Sequence, residues 1–478
     1  MTPKKYHGIP YHLWNPFTVM EQFLPYLGFG PSVITRGEGA YVYNDRGIRY
    51  INGFSSLWNV AIGHGREELI EAAAKQMRKL AYASCVRQVH PKAIELAARL
   101  VELTSGKYAR VYLGTNGSEA VETALKMARQ YFKQSPAKQD RNRYKIISLK
   151  NSFHGVSYGA ISTSGLESDE TKFGPLLPGF VQIEPPYCYR CPYGEKSYPQ
   201  CGLECARALE KKIADEGAET IAAFIIEPVM GACGIVYPPD EYFHLVGTTC
   251  KRYGLLFIVD EVTTGFGRTG KLFASDGWDP VPDILCLGKG ISSGYLPLSA
   301  TLATETIYQR FAGRGNQFEH GSTASGHPVC SAVGLANIDI IIKEDLVRNS
   351  ERIGSYLKAG LEELIDRHSI IGNVRGKGLM IGIELVKNRQ NKKHLSDNKI
   401  FTIVLDAATL GLILYFHHNV LCLFPPLIID QAIADDIIEI IDQALDSSIP
   451  AKISRGKRLT KEFTSSQILK RNKVEISD

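Results

Sequence analysis

Short apolar runs alternate with helical apolar repeats along the first two thirds of the chain. In the stretch after residue 113, apolar side chains recur at helical spacing, at Val121, Leu125, Ala128 and Phe132. Strands that alternate with helices favour a mostly parallel sheet that is covered by helices. The runs that predict strands lie at residues 110–113, 145–149, 223–226, 255–259 and 298–303.

The pattern changes toward both ends of the chain. Alternation on either side of the turn residues 44–47 predicts a β-hairpin near the N-terminus. Beyond residue 329, a long helical stretch that includes 353–365 precedes an alternating stretch at 379–385 and a short strand at 411–414. This part of the sequence therefore predicts a smaller α+β domain, separate from the sheet and helices that precede it.

The change of pattern divides the chain into a large and a small domain, with a segment at each end. We expect the large domain to span residues 61–328 and the small domain to span residues 329–450. The N-terminal segment, residues 1–60, is expected to pack with the small domain. Residues 451–478 carry eight Lys and Arg against three Asp and Glu, which is typical of a solvated, disordered basic tail.

Composition is that of an ordinary globular protein. The chain has 478 residues, of which 44% are hydrophobic and 22% are charged, enough for two domains with a large core. The formal net charge of +5 comes from the basic tail, so the near-neutral body is not expected to bind nucleic acid. We find no signal-peptide pattern and no apolar run near the roughly 18 residues of a membrane helix. The ten cysteines are therefore expected to be free thiols in the cytoplasm.

An acid and a lysine follow two apolar runs. Asp260 closes the run that ends at residue 259, and Lys289 follows a run at 284–287 with a glycine on either side. Because open α/β sheets place ligands at strand carboxyl ends, both side chains are expected at one sheet edge. Such a pair suits pyridoxal phosphate, because the lysine can form a Schiff base and the acid can keep the pyridine nitrogen protonated. The alternative is a buried ion pair beside a glycine-rich turn.

Four segments together carry a resemblance to a known family. They are 114–120 (GTNGSEA), 153–155 (FHG), the pair of Asp260 and Lys289, and 323–328 (TASGHP). In this order they resemble the class III (omega) aminotransferases, which are fold-type-I pyridoxal phosphate enzymes. The resemblance extends from about Trp14 to about Asp446. It implies pyridoxal phosphate as the cofactor and a large domain with a mostly parallel, seven-stranded sheet, beside a smaller α+β domain.

The resemblance also implies a reaction. Such an enzyme moves an amino group from an amine or omega-amino acid to a keto acid or aldehyde, in two half-reactions linked by pyridoxamine phosphate. Lys289 and Asp260 are its predicted catalytic residues. A racemase, aminomutase or decarboxylase on the same fold and cofactor is the alternative, and a domain that binds the cofactor without turnover is a third possibility.

Residues that match the family's phosphate site lie at a predicted helix start and in a later loop. Gly117 and Ser118 open the helix that follows residue 113, where unpaired amide groups and the helix dipole favour an anion. Ser118 could also be the N-cap of that helix. The resemblance implies that Thr323 reaches the phosphate in the partner subunit, hence a homodimer with shared active sites. Its alternative role is a local turn in the loop.

Other residues match the family's contacts with the pyridine ring. Phe153 would stack on one face of the ring, and Val262, two residues beyond Asp260 on an extended chain, would press on the other. His154 is expected to pack near the cofactor without a role in proton transfer. Glu227 follows the predicted strand at 223–226 and resembles the glutamate that organises the groups around the ring.

The predicted substrate pocket draws on distant parts of the chain. Trp58 matches an aromatic pocket residue of the family, and Cys85, Val86 and Arg87 match another pocket wall. Cys85 and Val86 are smaller than the aromatic residues often found there, and Arg87 could bind an anion or remain solvated. Tyr415 stands where much of the family has an arginine that binds the substrate carboxylate. Because tyrosine lacks the charged fork of a guanidinium, the sequence departs from the family at this point.

A group of four cysteines admits two interpretations. Cys188 and Cys191 form a C-x2-C pair, and Cys201 and Cys205 form a C-x3-C pair. Short spacings of this kind are typical of tetrahedral zinc sites. The family needs no metal, however, and the alternative is a surface loop with free thiols. We therefore expect no bound metal.

Overall fold

The computed structural model describes residues 5–23, 30–194 and 197–446, and the predicted basic tail at 451–478 lies outside them. Within the described residues, the strands are β1 Lys5–Tyr6, β2 Ile9–Pro10, β3 Ile34–Glu38, β4 Tyr41–Asn44, β5 Arg49–Asn52, β6 Arg110–Gly114, β7 Lys145–Leu149, β8 Phe180–Ile183, β9 Ile221–Ile226, β10 Leu256–Asp260, β11 Ile284–Leu287, β12 Ser299–Ala303, β13 Ile371–Lys377, β14 Met380–Asn388, β15 Lys393–His394, β16 Leu412–Ile413, β17 Tyr415–His417 and β18 Val420–Leu423.

The helices of the same residues are α1 Met20–Phe23, α2 Ser55–Trp58, α3 Glu67–Lys79, α4 Pro91–Leu103, α5 Gly117–Lys133, α6 Tyr158–Thr163, α7 Glu167–Phe173, α8 Glu204–Glu216, α9 Glu241–Tyr253, α10 Glu305–Phe311, α11 Pro328–Lys343, α12 Leu346–Arg367, α13 Asp397–Thr409 and α14 Gln431–Asp446. In this part of the chain, none of the helices has the length and apolar character needed to cross a membrane.

A seven-stranded sheet forms the centre of the fold. Its strand order is β6-β12-β11-β10-β9-β7-β8, and within it β12 runs antiparallel to both of its neighbours. The remaining neighbours, including β10 with β9 and with β11, are parallel. The predicted α/β architecture with a mostly parallel, seven-stranded sheet is therefore confirmed.

Side chains of the central strands alternate between two apolar layers. Phe224 and Phe257 belong to one layer, whereas Ile225 and Ile258 belong to the other. The second layer also contains the predicted apolar face of α5, including Val121. Because both faces of the sheet are covered, β9 and β10 are buried along their whole length, which explains their continuous apolar sequences.

Two smaller sheets lie outside the central sheet, and one of them joins the N-terminal segment to the C-terminal part of the chain. Strands β13, β14, β18 and β17 form one of them in this order. The other has the order β16-β5-β4-β3, and β5 of the predicted hairpin pairs in parallel with β16, with Ile51 opposite Leu412. This pairing supports packing of residues 1–60 against the small domain, while the domain boundaries themselves stay predictions.

The late strand predicted at 411–414 is shorter in the structure. Leu412 and Ile413 form β16, and the chain then leaves this sheet to enter β17 of the other sheet. Leu414 lies between the two strands and is buried. One unbroken apolar run can therefore contribute strands to two different sheets. Its sequence pattern does not show where the chain passes from one sheet to the other.

Several strands of the central sheet end at the same edge. Asp260 is the last residue of β10 and lies opposite Cys286 of the parallel strand β11. Lys289 follows two residues beyond the end of β11, so it emerges beside Asp260. Glu227 directly follows β9, and α5 begins soon after β6. This edge gathers the polar residues that the sequence predicts as functional.

Candidate active site

Asp260 is a buried carboxylate with two hydrogen-bond donors. The Nδ1 atom of His154 lies 2.8 Å from its Oδ2 atom, and the backbone N–H of Val262 donates to Oδ1 over 3.0 Å. Both side chains of the histidine–aspartate pair are almost fully buried. His154 thus orients Asp260, and its Nε2 atom is buried with no hydrogen-bond partner among the described residues. This orphaned atom and the remaining lone pairs of Asp260 suit a polar ring.

Lys289 extends its amine into the same region. Its Nζ atom donates to the Thr263 hydroxyl oxygen over 2.7 Å and lies 4.9 Å from the centre of the Trp58 ring. Burial lowers the pKa of Lys289 to about 8, and the Arg268 cation acts in the same direction, while the charges of Asp260 and Glu227 oppose it. A larger share of the amine is therefore neutral near pH 7 than for an exposed lysine, as a nucleophile requires.

The start of α5 lies beside this pair and differs in one respect from the sequence interpretation. Asn116, rather than Ser118, is the N-cap, because its side chain accepts the Glu119 N–H over 3.0 Å. The Ser118 hydroxyl instead accepts the N–H of Val156 over 3.0 Å. Ser118 therefore lies in the first turn of the helix, where backbone N–H groups have no acceptor within the helix and can bind an anion.

Val262 packs against two glycines that flank the site. A Cβ atom at Gly117 would lie 2.8 Å from a Val262 methyl group, and one at Gly288 would lie 3.1 Å from it. Glycine at both positions therefore allows the α5 start and the lysine turn to approach Val262 closely, and a side chain at Gly117 would force Val262 to move. The predicted contact of Val262 with the cofactor ring stays a prediction, and its position between the phosphate and lysine segments supports it.

Glu227 ties two loops together at the strand edge. Its Oε1 atom accepts the backbone N–H of Phe153 over 3.0 Å, and its Oε2 atom accepts that of Gly231 over 3.4 Å. Burial raises the pKa of Glu227 to about 7, and the neighbouring charge of Asp260 adds to the effect. Glu227 therefore fixes the backbone that carries the Phe153 ring, in keeping with its predicted organising role.

An aromatic wall borders Lys289. The Trp58 ring meets the Tyr415 ring edge to face with centres 5.3 Å apart, and the Phe424 ring lies 5.0 Å away on a tilt. The two predicted pocket residues Trp58 and Tyr415 are thus in contact, and Trp58 reaches the lysine. Burial raises the pKa of Tyr415, so its hydroxyl is neutral near pH 7.

Trp58 ends a turn with an unusual backbone. All four residues of α2 have positive φ angles between 48° and 88°, which are costly for residues other than glycine. Asn52 stabilises the turn, because its side chain accepts the Ser56 N–H over 2.9 Å and donates to the Ser56 hydroxyl over 2.9 Å. The Ser55 hydroxyl donates to the Phe424 carbonyl over 2.5 Å. Nothing in the sequence pattern indicates this conformation.

The other predicted site residues lie together on the surface of the single chain. Cys85, Val86, Arg87 and Thr323 are exposed. Tyr82 donates its hydroxyl to the Thr323 carbonyl over 2.7 Å, and the Cys85 thiol lies 3.8 Å from the carbonyl of the nearby Gly326. The pocket segment and the Thr323 loop therefore form one exposed patch, and their roles at an active site stay predictions.

Three residues of the loop after β10 were missed by the sequence interpretation. Thr263 contacts the lysine amine. Glu261 is fully buried and accepts four hydrogen bonds, one from Thr264, one from Ala274 and two from Ser275. Arg268 is buried and donates to the carbonyls of small-domain residues, described below. The sequence around these three residues is polar, like that of many surface loops. No sequence signal therefore distinguishes them from solvent-exposed residues.

Arg268 connects the loop to the smaller sheets. Its guanidinium donates to the carbonyl oxygens of Leu379 over 2.9 Å and Pro425 over 2.5 Å, and approaches the Ser55 hydroxyl at 3.5 Å. Burial without a carboxylate partner lowers the pKa of Arg268 to about 9. The cation therefore joins the Lys289 side of the site to the small sheet and to the turn that carries Trp58.

The four cysteines near residue 190 do not form a preformed metal centre. A tetrahedral zinc site brings sulfur atoms within about 4 Å of one another. Among the described residues, the one group of three or more metal-ligand atoms within 4.8 Å is His368, Asp442 and Asp446. There Asp442 already contacts His368 at 2.7 Å and Arg367 at 2.6 Å. Burial raises the pKa of Cys205 to about 12, and the nearby thiols of Cys188, Cys201 and Cys191 add to the effect.

Comparisons with known proteins agree on one family. A family model described as aminotransferase class III matches residues 29–445. The adenosylmethionine-8-amino-7-oxononanoate aminotransferase of Geobacter sulfurreducens is 36% identical, over 92% of this chain and 95% of its own. The putrescine–pyruvate aminotransferase of Pseudomonas aeruginosa is 34% identical, over 93% and 96%. The structure of an amine transaminase from an uncultivated Pseudomonas species, in its pyridoxal phosphate-bound form, is 37% identical with a TM-score of 0.85, over 91% and 98%.

We predict that Asp260→Asn stays folded but loses several orders of magnitude in rate. A neutral amide cannot hold a ring nitrogen protonated, and each tenfold loss corresponds to about 1.4 kcal/mol of barrier. Single-turnover kinetics measure the effect. Asp283→Asn is the matched control, since Asp283 is a half-buried carboxylate that accepts the Phe257 N–H at the opposite end of the strands. A rate of Asp260→Asn within tenfold of wild type would remove Asp260 from this role.

We predict that the purified protein contains less than one zinc per chain. The thiols of Cys188, Cys191, Cys201 and Cys205 are free, and among the described residues no three of them lie within 4.8 Å of one another. Elemental analysis of protein purified without chelator measures the zinc content. One tightly held zinc per chain that is lost in the Cys191→Ser/Cys201→Ser variant would contradict the prediction.

Proposed function

The chain belongs to the class III aminotransferases, which depend on pyridoxal phosphate, and from this premise we propose which of its residues perform each part of the reaction. The protein moves an amino group from an amine or omega-amino acid to a keto acid or aldehyde. The observation that carries the assignment is the emergence of Asp260 and Lys289 side by side from the parallel strands β10 and β11. The relatives' amine transfer disfavours the racemase, aminomutase and decarboxylase alternatives.

The residues at the sheet edge fit this cofactor. When bound, it supplies an electron-accepting ring and a carbonyl carbon that carries the amino group between the two substrates. Gly117 and Ser118 would hold its phosphate at the start of α5, and Phe153 and Val262 would contact its ring. Asp260 would hold a proton on the ring nitrogen, and its bond to His154 keeps the carboxylate in place to do so.

Lys289 performs the chemical steps in this proposal. Its lowered pKa leaves more of the amine neutral, as a lysine that would hold the cofactor through its carbonyl group requires. With the donor bound, Nζ would take the proton from the substrate carbon that bears the nitrogen. Nζ would later give that proton back, so that one group would act as both general base and general acid. Asp260 would act through its charge, while Glu227 holds the backbone of the loops beside it.

We also propose a homodimer with shared active sites. Cys85, Val86, Arg87 and Thr323 form an exposed patch on the single chain, which supports their use across a subunit boundary. Thr323 would then reach the phosphate in the partner subunit. Sedimentation equilibrium at micromolar concentration is expected to give twice the chain mass of 52.9 kDa. A species of single-chain mass with full activity would refute the shared site.

The proposed compartment is the cytoplasm. All ten cysteines are free, and persistent disulfides are a property of proteins in oxidising compartments. Recovery of the activity from an extracytoplasmic fraction of the native cell would contradict this assignment.

The half-reaction tests the proposed function directly. A panel of amines and amino acids is mixed with the protein, and conversion of the bound cofactor to pyridoxamine phosphate is followed by absorbance. We expect conversion with at least one donor, and Lys289→Ala is expected to stay folded while losing essentially all turnover. Lys145→Ala is the control, because Lys145 pairs with Glu216 away from the sheet edge. Wild-type turnover in Lys289→Ala, with borohydride trapping the cofactor on another lysine, would overturn the assignment.

The substrate end of the pocket is proposed to lack the family's usual carboxylate anchor. Tyr415 packs on Trp58 and presents a neutral hydroxyl. A bidentate charged pair contributes about 1.5–3 kcal/mol, whereas a neutral hydrogen bond contributes about 0.5–1.5 kcal/mol. The pocket therefore suits a substrate whose far end is apolar or polyol-like. A substrate carboxylate would need a charge from elsewhere, such as Arg87, rather than Tyr415.

We predict that Tyr415→Phe changes the kcat/KM for a keto acid by less than tenfold, because only a neutral hydroxyl is removed. Steady-state constants are measured for one keto acid and one aldehyde acceptor. Arg87→Ala is measured beside it, and a loss confined to the keto acid would identify Arg87 as the anion binder. A selective loss of tenfold or more with the keto acid in Tyr415→Phe alone would make Tyr415 the main anchor and contradict the proposal.

A further inference from the structure

The lysine amine has a hydroxyl partner in the loop that follows the catalytic strand. Nζ of Lys289 donates to Oγ1 of Thr263 over 2.7 Å. Thr263 lies three residues beyond Asp260 and is partly buried. The hydroxyl therefore contacts the atom that would exchange bonds and protons during turnover, and neither the sequence pattern nor the family resemblance assigns it a role.

The surrounding loop holds Thr263 in a fixed position. Glu261, two residues earlier, accepts four hydrogen bonds from Thr264, Ala274 and Ser275, and its carbonyl accepts the Gly265 N–H over 3.0 Å. Gly231, in the loop that Glu227 anchors, passes close enough that a Cβ atom there would lie 3.4 Å from the Thr263 methyl group. The backbone of Thr263 thus lies in an anchored loop, and its methyl group faces the loop of Gly231.

The other groups around the amine do not offer an equivalent partner. The carboxylate of Asp260 already accepts bonds from His154 and Val262, and that of Glu227 accepts two backbone N–H groups. The Trp58 ring provides a face without a localised acceptor. The Arg268 cation repels a protonated amine. A neutral hydroxyl can bind the amine in either protonation state, whereas a carboxylate would favour the charged, unreactive form.

We propose that Thr263 is a further catalytic residue, whose hydroxyl binds the Lys289 amine whenever that amine is free and holds it in place for proton transfer. The inference rests on the proposed role of Lys289. Nζ would be released when the amine donor binds and would stay free while the carbonyl acceptor reacts, so in both half-reactions it must stay near the substrate carbon. The bond to Thr263 restricts the movement of Nζ without fixing the amine in its charged form.

The test compares Thr263→Val, which keeps the shape and removes the hydroxyl, with Thr263→Ser, which restores it. In the loaded enzyme, kcat is expected to fall about three- to tenfold in Thr263→Val, the loss equivalent to one ordinary hydrogen bond, with little change in KM. The isotope effect with an α-deuterated amine is expected to rise, because proton transfer becomes slower than the other steps. Thr263→Ser is expected to return both quantities to within about twofold of wild type.

A second readout uses protein without cofactor. The rate at which Lys289 is modified by an amine-reactive reagent is followed by mass spectrometry across pH, in the presence of the same Asp260, Glu227 and Arg268 charges. Because the hydroxyl stabilises the protonated amine as its acceptor, the midpoint of this curve is expected to move to lower pH in Thr263→Val and back in Thr263→Ser. Thr104→Val, which removes a buried hydroxyl that donates within α4, is the matched control and is expected to leave both readouts unchanged.

The outcomes separate this inference from the proposed function. Unchanged kcat, isotope effect and titration midpoint in folded Thr263→Val would overturn the role of Thr263 while leaving Lys289 in place. Equal losses in Thr263→Val and Thr263→Ser would also overturn it, since the loss would then come from packing. Full turnover in Lys289→Ala would instead remove the proposed function itself.

Discussion

The parallel pairing of β10 with β11 brings charged side chains to the edge of a sheet whose interior is apolar. Asp260 ends one strand, Lys289 follows the other, and Glu227 follows the next strand along. Burying a charge without partners is costly, so each group needs hydrogen bonds from the loops around it. His154, Phe153 and Val262 supply those bonds. The same desolvation lowers the pKa of Lys289 and so produces a reactive amine.

The loop after β10 connects the sheet edge to the smaller sheets through buried hydrogen bonds. Glu261 anchors the loop, and Arg268 at its far side donates to the carbonyls of Leu379 and Pro425 in the smaller sheet region. Arg268 also approaches Ser55, in the left-handed turn that presents Trp58. Strained backbone of this kind persists only where surrounding contacts over-determine it. The region beside Lys289 is therefore built from three separate parts of the chain, namely the turn of Trp58, the loop of Arg268 and the strands of Tyr415 and Phe424. A few buried polar contacts hold these parts together.

Sequence patterns predicted the mostly parallel sheet and placed Asp260 and Lys289 after two of its strands, although β8 was not predicted. Continuous apolar runs identify β9 and β10 because both faces of the sheet are covered, and the polar residues that end them stand out by contrast. The N-cap at Asn116, the contact of Thr263 with the amine and the switch of sheets at Leu414 were not predictable. Each depends on the direction of one side chain or on a neighbour distant in sequence. Cysteine spacing left zinc and free thiols as alternatives, and the expectation of no bound metal stays a prediction.

The residues proposed for the reaction lie at the sheet edge, whereas those predicted to contact the substrate come from other parts of the chain. Relatives of similar identity carry names that specify different amino donors, so the reaction is shared while the donor varies. Arg268 cannot supply the cation that Tyr415 lacks, because its guanidinium is buried and already donates to the Leu379 and Pro425 carbonyls. Arg87, in an exposed segment, stays the predicted source of a cation for a substrate carboxylate. Because that segment shares its surface patch with Thr323, the proposed dimer would link recognition of the acceptor to assembly.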